Sequence, residues 1–293
     1  MRIRVQVVIE GDGEVPPAVH EVADLQRGDL GMDTLGLQLA EAKDLLTRMQ
    51  EVVVEEQVRS CLAAKVACPH CDRPLRHKDQ RSIAMRTLFG TLRLLSPRWH
   101  HCPCRPQERQ TFSPLTELLP ERTTPELLYL EAKFAGLMSY GLSAKLLGEL
   151  LPLGRTLHTT ALRRQVQATA QRLEEELGPE QVMFIEGCPR DWAELPIPDL
   201  PLTVGLDGGY VHACDQRSRR EGWFEVIAGK SMPAEGEAKC FGFVQTSDTK
   251  PKRRLFELLK AQGMAANQQV TFLTDGGADV RELPLYLNPR RST

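Results

Sequence analysis

The chain has 293 residues and a formal net charge of -2, with 41% hydrophobic and 26% charged residues. This length is about twice that of a typical domain, so we expect two or more units. The composition excludes a collagen-like, fibrous or wholly disordered protein, and the net charge excludes a uniformly basic one. A nucleic-acid binder remains allowed if its positive charge is confined to one face.

The apolar segments predict a cytoplasmic protein without a membrane partner. No apolar run approaches the ~20 residues needed to cross a bilayer. The start of the chain, from Arg2 to Ile9, alternates apolar and polar residues and is unlike a signal peptide. In such a compartment, clustered thiols hold a metal more often than they form disulfides.

Residues 1–66 are predicted to contain a strand and a long helix. The alternation from Arg2 to Ile9 indicates the strand. Apolar residues at three- and four-residue steps from about Leu35 to Lys65 indicate an amphipathic helix. The first sixty residues hold twelve acidic and six basic side chains, and we interpret this region as a packing element without a catalytic role.

Two pairs of cysteines predict a zinc-ribbon-like module over residues 67–112. Cys68 and Cys71 form the first pair, and Cys102 and Cys104 form the second. Four thiolates suit a structural site with tetrahedral zinc. The residues between the pairs fit a β-hairpin.

Three alternatives remain for these cysteines. His100 or His101 lies beside the second pair and can replace one of its thiols, above all Cys104, as a ligand. The cysteines can also be reduced, buried residues that serve only in packing, or a redox pair. The hairpin is predicted to turn near Gly90 in each case.

The charge changes sign along the chain, because residues 72–110 hold nine basic and three acidic side chains. A metal-stabilised module needs little core, which leaves its faces available for phosphate contacts. The candidate DNA contacts here are Arg73, Arg81, Arg86 and Arg93. The alternative is a solvated basic face that balances the acidic N-terminal region.

Residues 124–178 follow a predicted linker, Pro114 to Pro125, and fit a helix-turn-helix. A short helix is predicted from an N-cap at Ser143 to Leu151, followed by a break that contains Gly154 and a second helix that ends at Leu177. The start of the second helix would enter a major groove. Its candidate contacts are His158, Thr159, Thr160, Arg163 and Arg164. A plain helical hairpin has the same spacing and remains an alternative.

Residues 200–293 alternate strand patterns with one helix, in the order βββαβ. The first strand runs into Asp207, and the strand after the helix runs into Asp275; each aspartate is followed by two glycines. An RNase H-like sheet begins with this order, and there the two strands lie side by side. Paired carboxylates hold Mg²⁺ for phosphodiester chemistry. The alternative is that each tripeptide is only a turn.

Together, the two Asp-Gly-Gly segments, the Val280–Pro284 stretch after the second of them and the upstream cysteine pairs resemble ISKra-type insertion-sequence transposases of the DDE class. The resemblance covers nearly the whole chain. It implies that N-terminal modules recognise transposon ends and that an RNase H-like domain uses Mg²⁺. Asp207 resembles the first catalytic acid of the family, and Asp275 the second.

The resemblance implies a third acid on a later helix, beyond the end of this sequence. Asp279 and Glu282 are too close to Asp275 to take that role. We therefore expect an α+β multidomain protein whose RNase H-like domain is incomplete and which is inactive alone. The other expectation is a non-catalytic, zinc-containing DNA-binding protein that regulates an intact transposase; either protein can form a homo-oligomer.

Overall fold

The computed structural model describes residues 1–11, 16–104, 111–153, 157–181, 189–196, 198, 201–213, 221–245 and 247–275. Within them the fold is mixed α+β, as predicted, with seven α-helices and three sheets. The chain divides into two compact units, Met1–Gln171 and Arg172–Thr293. No helix in these described ranges combines the length and the apolarity needed to span a membrane.

The first unit begins with a two-stranded antiparallel sheet of β1 (Arg2–Ile9) and β2 (Ala18–Gln26). The sequence analysis predicted β1 and missed β2. Helix α1 (Leu39–Ala63) is shorter at both ends than predicted, and a 3₁₀ turn at Met32–Thr34 precedes it. An ion pair of 2.5 Å between Arg27, which follows β2, and Glu41 fixes the start of this helix.

The predicted hairpin consists of β3 (His77–Thr87) and β4 (Gly90–His100) and turns at Gly90. Gly90 has a φ of 128°, which glycine adopts readily because it lacks a Cβ atom. A short third strand, β5 (Thr111–Phe112), pairs with the end of β4. One face of the hairpin forms an apolar core with α1 and the segment after β5, through Met85, Leu92, Leu94, Leu115, Val54 and Val58.

Helices follow in the rest of the first unit. They are α2 (Pro114–Leu118), α3 (Pro125–Leu137), α4 (Tyr140–Leu150) and α5 (Thr159–Glu176). The predicted linker from Pro114 to Pro125 was therefore wrong for its first five residues, because Pro114 occupies the first turn of α2, where its missing N–H costs nothing; residues 119–124 contain no helix. The division between the two units falls within α5.

The predicted N-cap at Ser143 was also wrong. Helix α4 begins one turn earlier, at Tyr140, and its N-cap is Ser139, whose side chain accepts a hydrogen bond from the backbone N–H of Leu142. Ser143 is buried inside the helix, and its hydroxyl donates to the carbonyl oxygen of Ser139. Gly154, which belongs to the predicted turn, lies outside the described residues.

The second unit contains a four-stranded sheet and two helices. Its elements are α6 (Pro189–Ala193), β6 (Leu202–His212), β7 (Trp223–Pro233), β8 (Lys239–Val244), α7 (Pro251–Ala261) and β9 (Val270–Thr274). The sheet order is β8-β7-β6-β9, in which β9 is parallel to β6 and the other pairs are antiparallel.

Helix α7 connects β8 to β9 and packs against one face of this sheet. The buried leucines Leu255 and Leu259 of α7 join alternate residues of β6 in a single apolar core, together with Ile227, Phe243 and Val270. The ring of Phe241 on β8 lies against Gly229 on β7, where a Cβ atom would come within 2.2 Å of a ring carbon. Glycine at this position allows the aromatic ring to pack flat on the strand.

Candidate functional site

The structure brings the four predicted cysteines together. The sulfur atoms of Cys68, Cys71, Cys102 and Cys104 all lie within 4.8 Å of one another. The Sγ–Sγ distance is 3.6 Å between Cys68 and Cys104, and 3.4 Å between Cys71 and Cys102. Four sulfurs placed ~2.3 Å from a tetrahedral zinc ion would be about 3.8 Å apart, so this group could hold a metal ion such as zinc.

Two short turns and the hairpin position these sulfurs. The backbone N–H of Cys68 donates to the carbonyl oxygen of Arg73 at 2.8 Å, and the N–H of Asp72 donates to the carbonyl oxygen of Cys68 at 2.9 Å. Asp72 has a φ of 55°, a left-handed conformation that aspartate tolerates in a tight turn. The second pair follows β4, whose last residue, His100, donates its N–H to Arg76 at 2.8 Å.

The thiols of the cluster differ in acidity. A hydrogen bond from the backbone N–H of His70 lowers the pKa of Cys68 to about 7. The neighbouring sulfur of Cys102 raises the pKa of Cys104 to about 12. The backbone therefore favours ionisation of Cys68, whereas ionisation of Cys104 would need a cation to offset the repulsion between neighbouring sulfurs.

Among the described residues, the group that could hold a metal ion consists of four cysteines and includes no histidine. The ring of His101 instead stacks against Phe112 of β5, with 4.5 Å between the ring centroids. Cys61 lies on α1, apart from the cluster. Sequence spacing therefore identified four cysteines that the fold brings together and that could hold a metal ion.

The predicted DNA contacts lie at several places on the first unit. Arg73 is exposed beside the first cysteine turn. Along β3, strand alternation puts Arg81 on the face that packs against α1, whereas Arg86 lies on the opposite face, and so does Arg93 of β4. Of the five contacts predicted at the second helix, His158 lies just before α5 and the other four lie on it; all five are exposed.

Arg86 is held by a buried carboxylate. Its guanidinium forms an ion pair with Glu131 of α3 and donates a hydrogen bond of 3.5 Å to the hydroxyl of Thr123. Glu131 has no exposed surface, and this burial raises its pKa against the opposing effect of Arg86. The ion pair fixes the position of Arg86 on its face of the hairpin.

In the second unit, strand register relates the two predicted acids. The parallel pairing of β6 with β9 ends with Leu206 opposite Thr274. Asp207 and Asp275 are the next residues of these two chains, so both follow the same step of the ladder. Both side chains are exposed, and Asp207 lies opposite Ala228 on its other neighbour, β7.

Alternation places Asp207 on the face of the sheet opposite to the core, since Leu206 is buried against α7. Within the described residues, no third histidine, cysteine or acidic side chain joins the two aspartates in a group that could hold a metal ion. Residues 276–293, which include Asp279, Glu282 and the two glycines after Asp275, lie outside the described ranges.

The residue that sequence reasoning missed is Arg122. It lies in the predicted linker, where no periodic pattern marks it, yet its carbonyl oxygen accepts a hydrogen bond of 2.8 Å from the N–H of Arg86.

No protein-family model matches this sequence, and no curated protein matches it.

Proposed function

We propose that this protein is a DNA-binding protein of the DDE transposase class, in which Asp207 and Asp275 hold Mg²⁺ for phosphodiester cleavage and strand transfer. The observation that carries the proposal is the register of β6 and β9, which brings two aspartates to the same step of adjacent parallel strands. Their exposure leaves both carboxylates accessible to a metal ion and a phosphate.

The arrangement of the sheet supports this assignment. An RNase H-like sheet begins with three antiparallel strands, a helix and a fourth strand that returns beside the first, parallel to it. The order β8-β7-β6-β9, with α7 between β8 and β9, fits this description. In that fold the metal ligands lie on the first strand and on the strand that returns beside it, which are the positions of Asp207 and Asp275.

The chemistry follows from the ligand type. Magnesium prefers oxygen ligands, and ions held by paired carboxylates stabilise the attacking and leaving oxygens of a phosphodiester displacement. Asp207 and Asp275 would hold and orient the cation. Strand alternation puts Gly209 on the same face as Asp207, and a Cβ atom at Gly209 would meet nothing within 4 Å, which leaves room for a DNA backbone on that face.

The first unit would supply recognition of the transposon ends. Its cysteine cluster could hold a metal ion such as zinc, which stabilises the hairpin without a large apolar core. The hairpin then presents Arg86 and Arg93 on one face, and α5 presents exposed residues at its N-terminal end, in the manner of a recognition helix.

A second function, a non-catalytic zinc-containing DNA-binding protein, is favoured by a different observation. Among the described residues, Asp207 and Asp275 have no third metal-ligating side chain in their group. Two carboxylates alone bind a divalent ion weakly, and catalysis of strand transfer in this class uses three acids. The alternative keeps the DNA-binding role of the first unit and assigns no reaction to the second.

The proposal is tested with Mn²⁺ as a spectroscopic substitute for Mg²⁺ and with supercoiled plasmid as the DNA. We expect Mn²⁺ binding, measured by electron paramagnetic resonance, to weaken at least about tenfold in Asp207→Asn and in Asp275→Asn. Any metal-dependent nicking of the plasmid by the wild type should be lost in both variants. Glu235→Gln, an exposed acid in the turn before β8, is the matched control.

Two results would decide against the catalytic role. If Mn²⁺ binding is the same in wild type and in both variants, the aspartates are not a metal site. If the protein binds duplex DNA and nicks the plasmid equally in wild type and in both variants, the aspartates do not carry the reaction and the non-catalytic alternative is correct.

A further inference from the structure

A cleft of about 620 Å³ lies within the first unit, between the hairpin and the start of α5. Its floor is the face of the hairpin that does not pack against α1, and its walls are the segment before α3 and the first turn of α5. The residues used in the argument below are Ser82, Ala84, Arg86, Arg122, His158 and Ala161. The functions considered so far use Arg86 and the start of α5 but not Arg122 or the space between these elements.

The walls of the cleft are fixed by backbone and apolar contacts. Arg122 is held beside β3, because the N–H of Arg86 donates to its carbonyl oxygen at 2.8 Å and the N–H of Thr124 donates to the carbonyl oxygen of Arg86 at 2.9 Å. On the other side, Leu153 and Leu157 pack with Leu88 at the hairpin turn. The shape of the cleft is therefore set by backbone hydrogen bonds and apolar packing as well as by its exposed side chains.

Two arginines give the cleft its chemistry. Arg86 is half-buried and oriented by its ion pair with Glu131. The guanidinium of Arg122 donates to the carbonyl oxygen of Leu119 at 3.1 Å, and no carboxylate among the described residues pairs with it. Since an arginine presents five N–H donors, several donors of Arg122 remain for a ligand.

The other lining residues suit an anion of moderate size. Ser82 and Ala84 of the floor and Ala161 of the wall are small and leave space, and the Ser82 hydroxyl is a further donor. His158 adds a ring nitrogen at the mouth. A planar guanidinium in such a position binds the oxygens of a phosphate group in a bidentate manner.

We propose that this cleft binds a phosphodiester group of the DNA duplex, next to the part of the duplex that α5 contacts. The inference rests on the proposed DNA-binding function and adds Arg122 to its contacts. Exposed cations continue from the cleft on both sides, with Arg93 on the same face of the hairpin and Arg163 on α5. A DNA strand that crosses the cleft would therefore meet positive charge before and after it.

The test measures binding of the zinc-loaded full chain to a fluorescent 30-base-pair duplex by anisotropy, at several salt concentrations. We expect Arg122→Ala to weaken binding about five- to tenfold at low salt and to reduce the slope of log K against log salt by about 1. Arg122→Lys keeps the charge and should restore the slope. Arg48→Ala, an exposed arginine of α1, should match wild type.

A second pair of variants keeps the inference testable if Arg122→Ala does not fold. Ala161 and Ala170 are both exposed on α5, on opposite sides of the helix. Ala161→Glu places a carboxylate in the cleft and should weaken duplex binding at least tenfold, whereas Ala170→Glu should have a much smaller effect. Equal effects of the two substitutions would overturn the inference.

The outcomes separate this inference from the proposed function. Wild-type affinity of Arg122→Ala for the duplex, with an unchanged salt slope, would overturn the cleft assignment alone. Absence of duplex binding by the wild type would overturn both. Inorganic phosphate distinguishes a site for small anions: if millimolar phosphate binds in the cleft by calorimetry while Arg122→Ala leaves duplex binding intact, the ligand is a free anion and the DNA assignment is wrong.

Discussion

The cysteine cluster and the aspartate pair are held in place in different ways. The sulfurs lie on two turns at the base of one hairpin, and the outermost ligands, Cys68 and Cys104, are 36 residues apart. Asp207 and Asp275 come from strands joined through β7, β8 and α7, and register alone brings them to the same step. A cluster that comes from one local motif can be recognised from sequence spacing, whereas a pair drawn from distant strands can be recognised only through the order of the strands in the sheet.

The same difference predicts how the folding of each unit would respond to a metal ion. A group of thiolates repels itself without a cation, so the fold around Cys68 and Cys102 should require the metal. The two carboxylates are exposed, and the core beneath them is formed by Leu206, Leu255 and Ile227 without any ionised group. The second unit should therefore fold with or without a divalent ion.

The largest effect is expected from removing one sulfur of the cluster. Cys68→Ser should lose stoichiometric zinc, measured by mass spectrometry of the metal content, because a three-ligand site loses most of its binding free energy. Hydrogen exchange should show lost protection over residues 68–104 and unchanged protection over 202–274. Chelation of the wild type should give the same pattern.

Cys61→Ser is the control for this experiment, since Cys61 lies half-buried on α1 and outside the cluster. It should retain zinc and protection. Full zinc content in Cys68→Ser would remove the cysteine cluster as the metal site, and loss of protection in both units would show that their stabilities are not separate.

A smaller effect is expected from a packing change in the second unit. Gly229→Ala places a methyl group against the ring of Phe241, at a built distance of 2.2 Å. The ring or the strand must move, which should lower the free energy of unfolding of this unit by about 1–3 kcal/mol in urea. Zinc content should not change.

Gly209→Ala is the matched control, because a Cβ atom at Gly209 of the same sheet meets nothing within 4 Å. It should be within about 0.5 kcal/mol of wild type. If both alanine variants are equally stable, the contact between Phe241 and Gly229 does not restrict that position.

Much of this fold follows from patterns in the sequence. The cysteine spacing predicted the cluster, and the periodicity predicted α1, the hairpin that turns near Gly90, and the order of the elements from β6 to β9, whereas α6 was missed. Each of these signals is local, because it depends on residues within one element or on one short turn. The pairing of β6 with β9 was expected only through the RNase H-like order of these elements.

The features that were missed depend on contacts between distant residues. Strand β2 has no clean alternation, since a bulge beside Val5 shifts its register with β1. Ser139 and Ser143 both satisfy the rules for an N-cap, and the choice depends on Ser143 being buried. Arg122 lies in no periodic pattern. Its position is set by a backbone hydrogen bond from Arg86, a contact that the sequence around Arg122 does not indicate.

The smallest effect concerns one buried proton in the first unit. Burial raises the pKa of Glu131 above its ordinary value of 4.5, and the attraction of Arg86 offsets this only in part. The unfolded chain therefore loses this proton at a lower pH than the folded protein. Stability from this group is fully present below the unfolded pKa and is lost as the pH rises through the raised, folded pKa.

Glu131→Gln removes this dependence, so its free energy of unfolding relative to wild type should increase as the pH rises above about 4.5. Urea unfolding of both proteins between pH 4 and pH 8 measures the difference, with Glu126→Gln, an exposed acid on the same helix, as the control for loss of one carboxylate. A difference that instead decreases with pH would mean that the ion pair with Arg86 outweighs the cost of burying the charge. The ionised Glu131 side chain would then stabilise the fold, and the effect of Arg86 on its pKa would be larger than the effect of burial.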